Sequence, residues 1–240
     1  MAKKGTSTAS PQPASTNDLD HIDTDNAHDD DLDLPPPRRG LLDLRQENAW
    51  IFGFMLFSSL VSLTASFVLS IDALQIAADQ DKILPCDISA TLSCGTVARS
   101  WQAHLLGFPN AFLGLVAEPV VITIAIAALA KVKFPRGFML AANIVYFAGF
   151  IFAYWLFVQA YFVIGALCPW CLLVTLSTTL VFSTLTHVNI RDDNLFLAER
   201  ISSKLQWACR VGIDLLLVII LLAVVVTLIV VKYGSTLFAS

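Results

Sequence analysis

The chain has 240 residues, of which 56% are hydrophobic and only 14% are charged. A soluble domain of ordinary composition carries roughly 25% charged residues, so this balance excludes a soluble globular fold and predicts a protein with several membrane spans. The net charge is -4, the isoelectric point is about 5.4 and there is no basic patch, so we expect no nucleic-acid partner.

The first 48 residues are predicted to be a disordered, acidic tail in the cytoplasm. They are rich in Ser, Thr, Pro and Asp, and residues 29–31 are consecutive aspartates. Such a segment cannot bury enough apolar surface to offset the entropy lost on ordering. No apolar core follows Lys3 and Lys4, so we do not expect a signal peptide.

Five apolar runs along the rest of the chain are predicted to cross a membrane as helices. About 20 apolar residues in a helix are enough to span the hydrocarbon core, because each residue adds about 1.5 Å. The predicted spans are residues 50–71, 109–130, 138–164, 171–188 and 211–232. The connecting segments are a polar stretch at 72–108, a short basic turn, a weakly amphipathic linker at 189–210 and a tail at 233–240. The predicted fold class is therefore an all-α integral membrane protein.

The basic residues predict the orientation of these spans. With the N-terminus in the cytoplasm, most of the 15 lysines and arginines lie on the cytoplasmic side, and only Lys82, Arg99 and Lys232 lie on the other. Short cytoplasmic loops are enriched in Lys and Arg, so this asymmetry favours the orientation chosen. It predicts a multi-pass protein of the cell membrane, with four of its five cysteines on the extracytoplasmic side, where disulfides persist.

Those four cysteines form two close pairs. Cys86 and Cys94 lie in the polar stretch and are separated by small polar residues, which indicates a flexible loop. Cys168 and Cys171 flank the start of the fourth span. Pro169 favours the first helical position, which places Cys168 near the helix N-cap and Cys171 in the first turn. Free N–H groups and the helix dipole favour a thiolate there, the reactive form of cysteine.

Two dithiols on one oxidising face favour a thiol–disulfide relay. Electrons would pass from a soluble partner to the loop pair, then to the pair at the membrane, and finally to a lipid-soluble oxidant. Two alternatives stay open, a zinc site and static disulfides in a non-catalytic membrane scaffold. We expect no metal, because thiolate zinc sites usually stabilise soluble folds. Cys209 falls on the reducing side and is expected to be a bystander.

A short amphipathic helix is predicted after the loop pair. Val97, Trp101 and Leu105 recur every four residues and form an apolar stripe. Such a helix would lie in the membrane interface, with the indole at headgroup depth, as a lid over the bundle or as a simple connector.

The motifs of this chain, in their order and spacing, resemble the vitamin K epoxide reductase family in its bacterial form. The resemblance covers residues 49–188 and rests on the two cysteine pairs, on Ser100-Trp101, and on the run from Phe108-Pro109-Asn110 to Gly114. It implies a four-helix bundle around a quinone site with a fifth, peripheral transmembrane helix. It also implies oxidation of a thioredoxin-like dithiol protein by a membrane quinone, menaquinone or ubiquinone. The alternative is the reaction of the animal members, reduction of a quinone epoxide.

Some bacterial members of that family continue into a thioredoxin-like domain. This chain ends soon after the fifth span, so we expect the thiol partner to be a separate extracytoplasmic protein.

The resemblance implies a role for each of the four cysteines. Cys171 resembles the cysteine that attacks the quinone ring, and Cys168 resembles its partner, which exchanges with Cys94. Cys86 resembles the outer cysteine that meets the thiols of the partner protein. Asn110 matches the asparagine that hydrogen-bonds a quinone carbonyl, although capping of the second span is an alternative role.

Other residues are expected at the quinone site with less specific roles. Thr175 stands where some family members carry a tyrosine that contacts the quinone, and its shorter hydroxyl puts that hydrogen bond in doubt or makes it depend on water. Phe112 and Trp170 are expected to line the pocket, and Trp170 could equally belong to the interfacial aromatic belt. Ser100 matches a family serine near the loop cysteines, with a plain helix hydroxyl as an equal alternative.

Glu118 lies midway along the second span. An ionised carboxylate at the centre of a bilayer costs about 2.5–3.5 kcal/mol, so we expect this side chain to be neutral and to face the bundle interior. A proton relay during quinone reduction is one possible role. A structural hydrogen bond to a neighbouring helix is the other, and we favour it.

Overall fold

The computed structural model describes residues 47–237, and the regular elements of that range are all helical. The α-helices are α1 (Asn48–Ala78), α2 (Cys94–Ala98), α3 (Ala111–Leu129), α4 (Arg136–Val158), α5 (Pro169–Arg191), α6 (Glu199–Val211) and α7 (Ile213–Leu237). A 3₁₀ helix (Trp101–His104) follows α2, and a π-helical segment (Gln159–Ile164) extends α4. Five of these helices, α1, α3, α4 with its extension, α5 and α7, are long and apolar enough to cross a membrane. The prediction of an all-α membrane protein is confirmed.

Four of the five long helices form a bundle around one core. α1 packs along α3 and α5, and α4 packs along α5, whereas α3 and α4 approach each other less closely. Met55, Ile124, Val181 and Leu185 fill the core with at most 2% of their surface exposed. α7 contacts the outer face of α5 and leaves much of its apolar surface uncovered, as expected for a peripheral helix in contact with lipid.

Small residues allow α1 and α3 to approach closely. The buried side of α1 carries Ser59, Ser62, Ser66 and Ser70, each with 4% or less of its surface exposed. Gly114 of α3 lies against this serine face, and a Cβ at that position would be only 2.1 Å from Ser66 Oγ. Small residues at a helix interface are the usual means of close packing where lipid provides no hydrophobic drive for association.

The structure corrects two of the predicted boundaries. α1 continues to Ala78, beyond the predicted end at residue 71, because Asp72, Ala73 and Ile76 are buried in its last turns. α7 continues to Leu237, so part of the predicted tail at 233–240 is helical. The predicted N-terminal tail lies outside the described residues, apart from the start of α1.

The prediction of one amphipathic helix after the loop pair is wrong about its continuity. The structure has two short pieces there, α2 and the 3₁₀ helix, instead of one helix. Ser100 separates them, because its backbone is extended with ψ 149°. The stripe of Val97, Trp101 and Leu105 is therefore not continuous, and Trp101 instead meets Trp155 of α4 edge to face at 6.2 Å.

Candidate functional site

The loop between α1 and α2 is closed by a disulfide between Cys86 and Cys94. Asp87 organises this loop. Its carboxylate accepts the backbone N–H groups of Leu84 at 2.9 Å and Gly95 at 2.8 Å, and the hydroxyl of Ser93 at 2.7 Å. The expected flexible loop therefore has a defined set of hydrogen bonds.

Asp87 is held in its ionised form by these contacts. Burial raises the pKa of this carboxyl, but the hydrogen bonds from Leu84, Gly95 and Ser93, together with the charge of Arg99, outweigh burial and hold the pKa below its usual range. The loop thus keeps a full acceptor at neutral pH.

Backbone pairing sets the register between the loop and the start of α5. Leu167 donates its N–H to the Thr91 carbonyl at 2.8 Å, and its own carbonyl accepts the N–H of Ser93 at 3.0 Å. The next residue on each side is a cysteine at the start of a helix, Cys94 on one chain segment and Cys168 on the other. Two hydrogen bonds between segments far apart in the sequence therefore align one cysteine of each pair.

The sulfurs of the two pairs meet at this point. Cys168 Sγ lies 3.3 Å from Cys94 Sγ, and the structure holds Cys168 and Cys171 as thiols. Cys94 and Cys168 have only 1% and 2% of their surface exposed, so the contact is shielded from water. We call Cys86, Cys94, Cys168 and Cys171 the sulfur cluster.

Cys168 is the member of the cluster whose thiolate the structure stabilises. It is the N-cap of α5, with Pro169 in the first turn as predicted, and its sulfur accepts the N–H of Cys171 at 3.3 Å. The thiol of Cys171 and the backbone N–H groups of Cys171 and Trp170 hold the pKa of Cys168 below its usual value, against the opposing effect of burial. A Cys168 thiolate next to Cys94 can take part in exchange with the Cys86–Cys94 pair, as the attacking or as the leaving group.

A carboxylate at the far side of the cluster was not anticipated from the sequence. Asp72 Oδ2 lies 3.8 Å from the sulfur of Cys86, and Asp72 is 6% exposed. When Cys94 exchanges, Cys86 becomes a thiol within reach of this group. The signal that could have found it is an acidic residue directly after an apolar run, on the same membrane side as the cysteines.

A cavity of about 230 Å³ lies beside the sulfur cluster and inside the four-helix bundle. Its wall includes Cys94, Cys168 and Cys171, and most of the other lining side chains are apolar. The polar side chains of the wall are Ser66, Ser100, Gln102, His104, Asn110, Glu118, Tyr146, Thr175 and Thr178. A mostly apolar cavity with a few polar groups next to a dithiol fits a quinone ring.

Asn110 lies in the wall with unused hydrogen-bonding capacity. It occupies the N-cap of α3, but its side chain does not cap the helix. Instead Nδ2 donates to the Gln102 carbonyl at 2.6 Å, while Oδ1 is buried with no hydrogen-bond partner in residues 47–237. A primary amide carries two N–H donors, so one remains for a ligand. The residue therefore fits the expected contact with a quinone carbonyl.

Thr175 and Ser100 also line the cavity, but their hydroxyl hydrogens are engaged. Thr175 donates to the Cys171 carbonyl at 2.9 Å, and Ser100 donates to the Val97 carbonyl at 2.6 Å. Neither hydroxyl can donate to a ligand without breaking that bond. Both can still accept a hydrogen bond.

The two aromatic residues expected in the pocket lie elsewhere. Trp170 packs against the sulfur cluster, and Phe112 stacks on Phe108 with ring centroids 6.4 Å apart. Within the part of the chain that the structure describes, neither belongs to the cavity wall. Their roles in binding quinone stay predictions.

Glu118 faces the bundle interior, as expected, and is 3% exposed. Its Oε1 accepts the hydroxyl of Ser62 on α1 at 2.7 Å. Tyr146 of α4 interacts with the same carboxyl, yet Glu118 Oε2 and the Tyr146 hydroxyl both lack a standard hydrogen-bond partner among the described residues. No pattern in the sequence distinguishes Tyr146, which is one aromatic residue in an apolar span.

Within residues 47–237, two groups of side chains have metal-ligand chemistry. Asp72 lies near Cys86 and Cys94, but both sulfurs are in the disulfide and are not thiolates. The ligand atoms of His187, Cys209 and Asp214 lie within 4.8 Å of one another where α5, α6 and α7 meet.

The chain matches the model of one protein family, described as "Vitamin K epoxide reductase family", over residues 53–186. That range is more than half of the chain and contains the whole sulfur cluster, Asn110 and Glu118. A comparison with curated protein sequences found no match.

Proposed function

This chain belongs to the vitamin K epoxide reductase family and is thus a multi-pass membrane oxidoreductase, and from that premise we propose a quinone-dependent thiol–disulfide oxidoreductase. Its reducing substrate is the dithiol of a separate extracytoplasmic thioredoxin-like protein, and its oxidising substrate is a membrane quinone, menaquinone or ubiquinone. The physiological result is a supply of disulfide bonds outside the cytoplasm. The observation that carries the proposal is the 3.3 Å contact between Cys94 Sγ and Cys168 Sγ beside the cavity.

The first half-reaction oxidises the partner. A partner thiolate attacks Cys86, a mixed disulfide forms, and Cys94 leaves as a thiolate. The second partner thiol then attacks the mixed disulfide, so the partner departs oxidised and Cys86 is released as a thiol. Asp72, 3.8 Å from Cys86 Sγ, is placed to exchange a proton with that thiol.

The second half-reaction moves the electron pair inward. Cys94 attacks Cys168 of the Cys168–Cys171 disulfide and Cys171 leaves; Cys86 then attacks Cys94, and Cys168 leaves as the thiolate that its environment favours. The loop disulfide is restored and the pair at α5 is a dithiol. The structure has this combination, with Cys86–Cys94 oxidised and Cys168 and Cys171 as thiols.

The quinone then accepts two electrons and two protons from that dithiol, and the Cys168–Cys171 disulfide forms again. The chain supports this step through Cys171 in the cavity wall and the spare amide hydrogen of Asn110. The apolar wall keeps water away from the exchanging sulfurs. The distribution of basic residues supports the placement of the cluster on the extracytoplasmic side of the cell membrane.

The proposal predicts that Cys171→Ser abolishes quinone reduction. The purified protein in lipid nanodiscs is mixed with a reduced thioredoxin-like protein and decylubiquinone, and quinol formation is followed by absorbance. Cys209→Ser is the matched control and should retain the activity of the parent protein. The partner should still form a mixed disulfide with the Cys171→Ser protein.

Quinone reduction by Cys171→Ser at the rate of the parent protein would refute the assignment. A parallel assay with a naphthoquinone and its epoxide separates the proposed reaction from epoxide reduction.

A further inference from the structure

The amide of Asn110 can hydrogen-bond only one of the two carbonyl oxygens of a quinone. A 1,4-quinone has a second carbonyl oxygen on the opposite side of the ring. Thr175 occupies the position from which a tyrosine would contact the quinone, but its hydroxyl hydrogen is bound to the Cys171 carbonyl at 2.9 Å. A second hydrogen-bond donor must therefore come from another part of the cavity wall.

Glu118 and Tyr146 form a polar patch in that wall, away from the sulfur cluster. They have 3% and 6% of their surface exposed, and they come from different helices, α3 and α4. Glu118 Oε2 and the Tyr146 hydroxyl are buried, and neither finds a hydrogen-bond partner in the described part of the chain. Buried polar groups are rarely left unpaired, and both side chains belong to the wall of the same cavity, so the two atoms indicate a ligand there.

The protonation expected of Glu118 makes both atoms donors. An ionised carboxylate is expensive in the membrane interior, so the side chain is neutral. Oε1 already accepts the Ser62 hydroxyl at 2.7 Å, which leaves the carboxyl proton on Oε2. Tyr146 interacts with this carboxyl, but neither the carboxyl O–H nor the phenol O–H has an acceptor of standard hydrogen-bond geometry in the described part of the chain. One carbonyl oxygen between them has two lone pairs and can receive both.

The spacing along α3 suits a ring held between Asn110 and this patch. Glu118 comes eight residues after Asn110, a rise of about 12 Å in an α-helix. The Cα–Cβ bond of Glu118 tilts toward the helix N-terminus, which brings its carboxyl back toward Asn110. The wall between them is largely apolar and includes Leu113, Gly114 and Ala117.

We propose that Glu118 and Tyr146 together bind the second carbonyl oxygen of the quinone, opposite the carbonyl bound by Asn110. This inference rests on the proposed function, because it assigns a contact to the same quinone site. Ser62 positions Glu118 by fixing Oε1, and it does not itself touch the ligand. Glu118 and Tyr146 supply the hydrogen-bond donors that Thr175 does not.

The test measures quinone binding separately from turnover. The full chain in nanodiscs, with both cysteine pairs oxidised so that no electrons reach the quinone, is titrated with 2,3-dimethyl-1,4-naphthoquinone, and binding is read from quenching of tryptophan fluorescence. Tyr146→Phe keeps the ring and removes one donor. Glu118→Leu removes the other donor, and Glu118→Gln restores an N–H in its place. Tyr154→Phe is the matched control, because that hydroxyl bonds Thr179 at 3.0 Å and lies outside the cavity wall.

We expect Tyr146→Phe and Glu118→Leu each to weaken binding by about tenfold, the effect of losing one hydrogen bond to a buried ligand. KM for the quinone should rise with them, Glu118→Gln should recover part of the loss, and Tyr154→Phe should bind as the parent does. Thiol alkylation measures how much of the Cys86–Cys94 disulfide has formed. This amount should be the same in all four variants as in the parent, which would show that they fold correctly.

Parent-like binding by both Tyr146→Phe and Glu118→Leu would overturn the inference. If Asn110→Ala loses binding in that case, the proposed function stands and only the second contact is wrong. If the parent protein itself binds no quinone, the proposed function fails as well.

Discussion

At the scale of single residues, Cys168 derives its reactivity from its position at the start of a helix. Its sulfur receives the N–H of Cys171 at 3.3 Å, and the Cys171 thiol also donates to it. The pKa of Cys168 is held below its usual value by these contacts, although burial acts in the opposite direction. A depressed pKa keeps the thiolate present at a lower pH, so Cys168 leaves readily when Cys86 attacks the Cys94–Cys168 disulfide.

This account predicts the pH dependence of Cys168 alkylation. In a background with alanine at positions 86, 94 and 209, Cys171→Ser keeps a hydroxyl donor, whereas Cys171→Ala removes it. The rate of iodoacetamide modification should reach its midpoint below about 8.5 in the serine variant, because the thiolate forms at lower pH. The midpoint should move upward in the alanine variant. Equal midpoints in the two variants would show that Cys171 does not tune its neighbour.

At the scale of helices, the close approach of α1 and α3 holds the cavity wall in place. Gly114 lies in the wall and directly against Ser66 of α1, so that an added Cβ would lie 2.1 Å from Ser66 Oγ. That separation is far inside van der Waals contact, so the helices must move apart or the serine must rotate.

We therefore expect Gly114→Ala to destabilise the bundle by about 1–3 kcal/mol, the usual effect of overpacking a tight core. The thermal midpoint of the detergent-solubilised protein measures this loss. Gly53→Ala is the matched control, because Gly53 lies in α1, the other helix of this pair, and a Cβ there meets nothing within 4 Å. A midpoint for Gly114→Ala equal to that of Gly53→Ala would contradict the packing described here.

The elements that the sequence predicted are those with a local signal. The apolar runs marked all five spans, and Pro169 marked the cap of α5 at Cys168. The break at Ser100 was missed, since an apolar residue every fourth position looks the same whether the helix is continuous or interrupted. The pairing of Leu92 with Leu167 was also missed, because contacts between segments far apart in the chain leave no periodic pattern.

At the scale of the whole molecule, the fold brings a water-facing loop and a membrane helix to one point. The segment 92–94 and the segment 167–168 pair through backbone hydrogen bonds, and the cavity lies beside them within the bundle. The four cysteines were identifiable from the sequence. Asp72 and Tyr146 were not, because each is one polar group at the edge or in the middle of an apolar run, and only the packing of α1 and α4 shows what it faces.

The most direct test of the relay asks whether Cys94 and Cys168 exchange with each other. In a chain with Cys86→Ser, Cys171→Ser and Cys209→Ser, these two cysteines alone remain, with their sulfurs 3.3 Å apart in the structure. After mild oxidation in the membrane and proteolysis, mass spectrometry should find peptides containing Cys94 and Cys168 joined by a disulfide. The control chain keeps Cys86 and Cys171 instead and should remain alkylatable. Full alkylation of Cys94 and Cys168 under the same conditions would contradict the transfer of electrons between the two pairs.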